Sequence, residues 1–283
     1  MEGLFDQHLH SWHSFDSKAD PEENVKSALE KGLAGLTFTE HYDLHPDDRP
    51  SCCYDESKMA ATIDALRATY GGQIFIGKGI EICYQPEFIN EVVDFLRRHE
   101  FDMVILSVHY FAGHGLHRQG SWQGRTTADI TRAYFETVLD AVRFCERLHD
   151  QVGQTFHVLG HLDLVKRYAS RWRDDYDIAA ASSLIADILQ TCLRANLIPE
   201  INTSGIRQNV GAAMPGQDIV TRYAELGGTS MSLGSDAHLS DHIGADFDQA
   251  IAMMKQAGIK QAATFRGGRK IDVRIDHVGS NMA

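Results

Sequence analysis

The chain has 283 residues, 43% of them apolar, which is enough to bury a substantial core within a single α/β domain. Its formal net charge of -12 weighs against nucleic-acid binding, which relies on clustered lysines and arginines to neutralise phosphates, so no nucleic-acid partner is expected. No apolar run reaches the roughly 18 uncharged residues of a membrane span, and the start Met-Glu-Gly-Leu-Phe-Asp lacks the basic and apolar regions of a signal peptide, so a cytoplasmic location without a membrane partner is expected.

A strand over residues 4 to 10 opens the chain, followed by a helix over 21 to 31 with Asp20 as N-cap, Pro21 in the first helical position, Glu23 completing a capping-box pattern and Gly32 as its stop. Alternation then predicts a strand over 34 to 39, a helix over 56 to 69, a strand over 73 to 82 and a helix over 87 to 99. The next strand runs to His109. Residues 110 to 125, rich in Gly, His and Arg, are too long for an ordinary connector and form a candidate binding loop or lid. A helix over 127 to 149 leads to a strand ending at His161. Helices over 178 to 195, 216 to 227 and 246 to 257 alternate with strands over 197 to 203, 229 to 234 and 261 to 265. This is βα repetition with seven or eight strands, read as one domain over 1 to 276 with a disordered tail over 277 to 283.

The metal-ligating side chains cluster at strand exits. His8-Leu9-His10 follows the first strand and Asp236-Ala237-His238 follows a late one. Residues two apart on a strand share a face, so each pair can converge on one divalent ion. Glu40-His41, Glu81, His109 and His161 end four further strands. Active sites of parallel barrels are built at such ends, so the rhythm predicts one polynuclear metal site. Cys52, Cys53, Cys83, Cys145 and Cys192 form no paired spacing and read as reduced packing thiols.

Taken in order, His8-Leu9-His10 with Ser14-Phe15-Asp16, Thr39-Glu40-His41, Gly79-Ile80-Glu81, Ser107-Val108-His109, Gly160-His161 through Lys166, Glu200 through Arg207 and Gly234 through His238 resemble the motifs of the PHP (polymerase and histidinol phosphatase) superfamily, in its histidinol-phosphatase group. The resemblance spans Asp6 to about Arg274. It implies a distorted, TIM-like (β/α)7 barrel holding three divalent ions, zinc, iron or manganese, and no organic cofactor. His8, His10, Asp16, His41, Glu81, His109, His161, Asp236 and His238 would be their ligands. Many members carry His where this chain has Asp16. Glu81 is the expected bridge, because its two oxygens can reach two ions.

The activity implied is a metal-dependent phosphomonoesterase acting on a small phosphorylated substrate, L-histidinol phosphate of histidine biosynthesis, through a metal-bridging hydroxide with Asp236, His238 and Glu81 at the reacting centre. Arg207 is the main phosphate-binding candidate, Lys166 and Arg167 are the second choice, and Ser204 could add a hydroxyl contact. The leaving alkoxide could take its proton from a metal-bound water, Asp236 or a loop histidine. Two other readings stay open: a phosphoesterase for a nucleotide or sugar phosphate, and a non-catalytic metal-binding regulatory module. His13, His114 and His117 are weighed only as possible substrate contacts, and the remaining histidines as structural.

Overall fold

The computed structural model describes residues 3–276 apart from 53, 174–177 and 209, so the expected tail over 277–283 and Cys53 lie outside the described residues. In chain order the elements are β1 (Phe5–Leu9), α1 (Pro21–Glu30), β2 (Gly35–Tyr42), α2 (Glu56–Tyr70), β3 (Phe75–Cys83), α3 (Ile89–Arg98), β4 (Met103–Ser107), β5 (Tyr110–Phe111), β6 (His114–Gly115) and α4 (Thr127–Val152). They continue with β7 (Val158–Leu159), α5 (Val165–Trp172), α6 (Ser182–Ala195), β8 (Ile198–Asn202), α7 (Ser204–Arg207), α8 (Gln217–Glu225), β9 (Ser230–Gly234), α9 (Phe247–Gln256), β10 (Gln261–Arg266) and β11 (Arg269–Arg274).

Local chemistry explains the boundaries. The Asp20 carboxylate accepts from the Glu22 amide to cap α1, while Glu23 turns outward to Lys26 and makes no capping box. Thr126 caps α4 in the same way through Asp129. The helix expected over 178 to 195 starts with a tighter 3-10 turn, Ile178–Ala181, before α6. α5, which sequence periodicity leaves unassigned, begins at Val165, a short turn after His161.

Strand order is β1-β2-β3-β4-β7-β8-β9-β10-β11, with every neighbouring pair parallel except β10 and β11. β1 and the residues after β9 also exchange backbone bonds: the Asp236 amide donates to the His8 carbonyl at 2.7 Å and the His10 amide to the Ala237 carbonyl at 2.8 Å. The last strand, β11, was not expected. Its Arg-Lys-Ile-Asp-Val-Arg sequence shows no buried face, since it pairs at a sheet edge through backbone alone, and the two-residue Gly267-Gly268 turn, with φ of 54° and 71°, folds it back.

The two faces of the sheet are buried differently. Leu36, Phe38, Ile76, Ile80, Ile82, Val104 and Leu106 pack outward against the helices in the main core. Met103, Ile105, Val158, Ile198, Ala263 and Phe265 form a separate apolar cluster. On β4, Met103 and Ile105 share a face with Ser107, whose hydroxyl bonds Glu81, so this small cluster and the polar site occupy the same side of the strands. No helix among the described residues is long and apolar enough to cross a membrane.

Candidate metal centre

β1 delivers His8 and His10 through a local irregularity. Its register against β2 shifts between Asp6 and Leu9, so that Leu9 pairs with Phe38, and His10 emerges just past the strand. On the neighbouring segment, Asp236 adopts a left-handed backbone with φ of 51°, a conformation that costs a non-glycine residue on the order of 1 kcal/mol or more. Its amide bond to His8 holds that turn, and its carboxylate faces both imidazoles: Oδ1 lies 3.9 Å from His8 Nε2 and 3.5 Å from His10 Nε2.

Glu81, at β3, is the hub. Its Oε2 stands 3.3 Å from His8 Nε2, 3.6 Å from His10 Nε2 and 3.0 Å from His41 Nδ1. Its Oε1 accepts from the Ser107 hydroxyl at 2.6 Å, with His161 Nε2 at 2.9 Å and His109 Nε2 at 3.3 Å. Asp16 Oδ2 meets His238 Nε2 at 3.1 Å and His41 Nε2 at 3.4 Å. All the ligand candidates expected from the strand ends, Asp16 included, therefore meet in one cluster. Four trios within it could each hold an ion: His10, His41 and His238; His8, His10 and Asp236; His8, Glu81 and His161; and His41, Asp43 and His109.

Cations fit this donor set. His8 Nε2, His10 Nε2, His41 Nδ1, Glu81 Oε2 and His161 Nδ1 are buried with no hydrogen-bond partner, although the first three lie within 3.6 Å of Glu81 Oε2. Lone-pair donors facing one another without hydrogen-bond geometry are what a shared divalent ion satisfies. Electrostatics agrees. Burial opposes charge on Glu81 and Asp236, yet the surrounding imidazoles, with Arg167 beside Asp236, hold both well below the carboxylate range. Burial likewise works against His8, but Glu200, Glu81 and Asp236 hold its imidazole well above the ordinary value. His10 is driven the other way, to about 3, by burial and by repulsion from His41 and His238. The carboxylates thus demand positive charge that these imidazoles cannot all carry at once.

Behind the ligands lies a layer that sequence reading left without roles. His8 Nδ1 donates to Glu200 Oε1 at 2.8 Å, and Glu200 Oε2 accepts from the His161 amide at 2.8 Å. His10 Nδ1 donates to the Ser14 hydroxyl at 3.1 Å, which donates to Glu40 Oε2 at 2.6 Å. His238 Nδ1 donates to the Asp236 carbonyl. Each contact fixes which ring nitrogen faces the cluster. Burial pushes Glu40 up to about 7 against the bonds from Ser11 and Ser14. Asp6 ties this frame together, accepting from the amides of His8, Ser235 and Gly244.

A cavity of about 290 Å³ opens on the cluster, lined also by Phe15, Asp43, Asp48, His117, Leu164 and Tyr168. Arg167 is its lysine or arginine among the described residues; Nη2 donates to Ser204 Oγ at 2.6 Å and to Asp236 Oδ2 at 3.1 Å, while Nε is buried without a partner. Arg207, the expected phosphate ligand, is elsewhere. Its guanidinium donates to the Ser235 carbonyl at 2.6 Å and sits 3.6 Å from Asp246. Lys166 turns to Asp163 and the Ala213 carbonyl, because consecutive helix positions point about 100° apart and only one of the pair can face the cavity. Ser204, 1% exposed, holds Asp236 and Arg167 in place and is no open hydroxyl. His13 bonds Thr62 and His114 bonds Arg125, whereas His117 does line the cavity. The loop expected as a binding loop or lid is anchored, with β5 and β6 forming a hairpin and the buried Trp122 indole donating to the Leu116 carbonyl, and it brings His117 to the cavity. Asp43 was missed, although His41-x-Asp43 repeats the two-residue spacing of the other ligand pairs.

Among known proteins, a PHP domain family profile matches residues 6–204. The protein named "Probable histidinol-phosphatase" of Clostridium acetobutylicum is 30% identical over 262 residues, covering 91% of this chain and 95% of its own. The histidinol-phosphatase of Lactococcus lactis is 28% identical over 269 residues, covering 94% and 96%. The crystal structure of histidinol phosphate phosphatase from Lactococcus lactis, complexed with zinc, L-histidinol and phosphate, superposes with a TM-score of 0.81 at 24% identity, over 96% of this chain and 100% of that one.

Proposed function

The chain belongs to the PHP domain family, and on that footing we propose that it is a metal-dependent phosphomonoesterase that hydrolyses L-histidinol phosphate to L-histidinol and phosphate. The convergence of His8, His10, Asp16, His41, Glu81, His109, His161, Asp236 and His238, with buried donor atoms left unpaired, is the observation that carries this reading. These residues would hold the divalent ions, three of them by the family pattern, with the Glu81 carboxylate able to offer both its oxygens, and we place them at the mouth of a distorted (β/α)7 barrel. Bound there, the ions supply Lewis acidity toward water and phosphate oxygens.

The chain's own groups do the rest. Arg167 offers its guanidinium to the phosphoryl oxygens from a position fixed by Ser204 and Asp236. Asp236, held as a carboxylate, anchors Arg167 and serves as a ligand; it gives up the role of proton donor. Ser107, Ser14, Glu40 and Glu200 keep the ligands aimed, so little reorganisation accompanies charge development. Arg207 and Lys166 leave the list of substrate contacts, since each is satisfied by protein oxygens.

Elemental analysis of purified protein alongside phosphate release from L-histidinol phosphate tests the proposal. Two to three metal equivalents and at least a roughly tenfold preference in kcat/KM over sugar and nucleotide phosphates are expected. A smaller preference would shift the assignment to another phosphate ester, and a metal-loaded protein inert to all of them would leave only the metal-binding module.

A further inference from the structure

Two carboxylates outside the nine residues proposed above as ligands line the same cavity: Asp43, which lies in the trio with His41 and His109, and Asp48, which lies in none of the four. Asp43 is 2% exposed, and its Oδ1 is buried with no hydrogen-bond partner; Oδ2 stands 3.7 Å from His109 Nδ1. Asp48 sits on the segment after β2, with Oδ2 accepting from the Tyr110 hydroxyl at 2.6 Å. Its Oδ1 stands 4.0 Å from His117 Nε2. Tyr110 is itself braced by a stacked His45 ring at 3.9 Å, so the Asp48 oxygen is presented from a fixed wall.

Arg167 and the two further carboxylates come from different elements. Arg167 projects from α5, after β7, while Asp43 and Asp48 follow β2 on the other flank of the strand order. Carboxylates repel a phosphate, so they do not serve the phosphoryl end of a substrate. A buried acid with an unpaired oxygen calls for a cation or a donor. We infer that Asp48, backed by Asp43, recognises the positively charged leaving group of an aminoalkyl phosphate, and so selects cationic substrates over neutral-alcohol phosphates at this site.

The inference rests on the function proposed above, and the test separates the two. Wild-type protein and Asp48→Asn are compared on L-histidinol phosphate and on p-nitrophenyl phosphate, with metal content measured for both. The ratio of kcat/KM between the two substrates should fall at least about tenfold in Asp48→Asn, the scale of one charge-assisted hydrogen bond, and Asp48→Glu should restore part of it. An equal loss on both substrates, or a loss of metal, overturns the inference and makes Asp48 part of the metal centre. Wild-type protein gives a second reading that needs no variant: L-histidinol should inhibit p-nitrophenyl phosphate hydrolysis at least about tenfold more strongly than the same molecule lacking its amine. Equal inhibition by the two overturns the inference. Wild-type protein that does not cleave L-histidinol phosphate at all overturns the proposed function instead.

Discussion

The Nδ1 of His8 lies 2.8 Å from Oε1 of Glu200, 192 positions further along the chain and equally buried. Gly234 makes room for this contact, because a Cβ there would stand 2.0 Å from that same oxygen. Glu200→Gln keeps the volume and loses the charge that orients the ring. Metal affinity, followed by chelator competition, should drop about tenfold to a hundredfold, as for other carboxylates behind metal-bound histidines. Unchanged affinity would remove Glu200 from the site's support.

His10→Ala and Asp236→Ala each delete a ligand atom from the cluster. Turnover should be abolished and metal stoichiometry reduced, while far-ultraviolet circular dichroism stays that of the parent. Retained activity in either variant is incompatible with the proposed centre.

Arg167→Met and Arg207→Met form a matched pair. The first should cost about tenfold to a hundredfold in kcat/KM for phosphate esters, since charged hydrogen bonds to the substrate are lost. The second should chiefly lower thermal stability, because Arg207 ties Ser235 to Asp246. Reversed effects would restore Arg207 as the phosphate ligand.

His157 provides a stability readout away from the metals. It accepts from the Val104 amide through Nδ1, and burial, with some repulsion from His149, lowers it to about 4. The unfolded chain then takes up the proton first as pH falls below the ordinary value near 6.5, so stability is lost through that range and levels off below the folded value. Between pH 7 and 5 the loss from this one group should be about 2 kcal/mol. Denaturant unfolding of wild type and His157→Gln at both pH values checks it: the pH-dependent gap between the two proteins should narrow the advantage of wild type by that amount, and parallel curves would sink the assignment.

Much of this arrangement was readable in the sequence, for a physical reason. Parallel strands end at one side of the sheet, so a ligating residue at each exit identifies the centre without knowledge of the packing in between. That Arg167 and not Arg207 lines the cavity was not legible, because helical facing, and not position after a strand, decides which cation meets it. Glu200 and Glu40 went unassigned since their worth lies in partners on other strands. β11 escaped because edge pairing needs no apolar pattern.

The paired backbone bonds between His8, His10 and residues 236–237 carry a kinetic implication. During synthesis the earliest ligands must wait, unclosed, until nearly the whole polypeptide has emerged. A chain cut short before residue 236 would thus retain His8, His10, His41, Glu81, His109 and His161 yet lack the turn against which the first two are held.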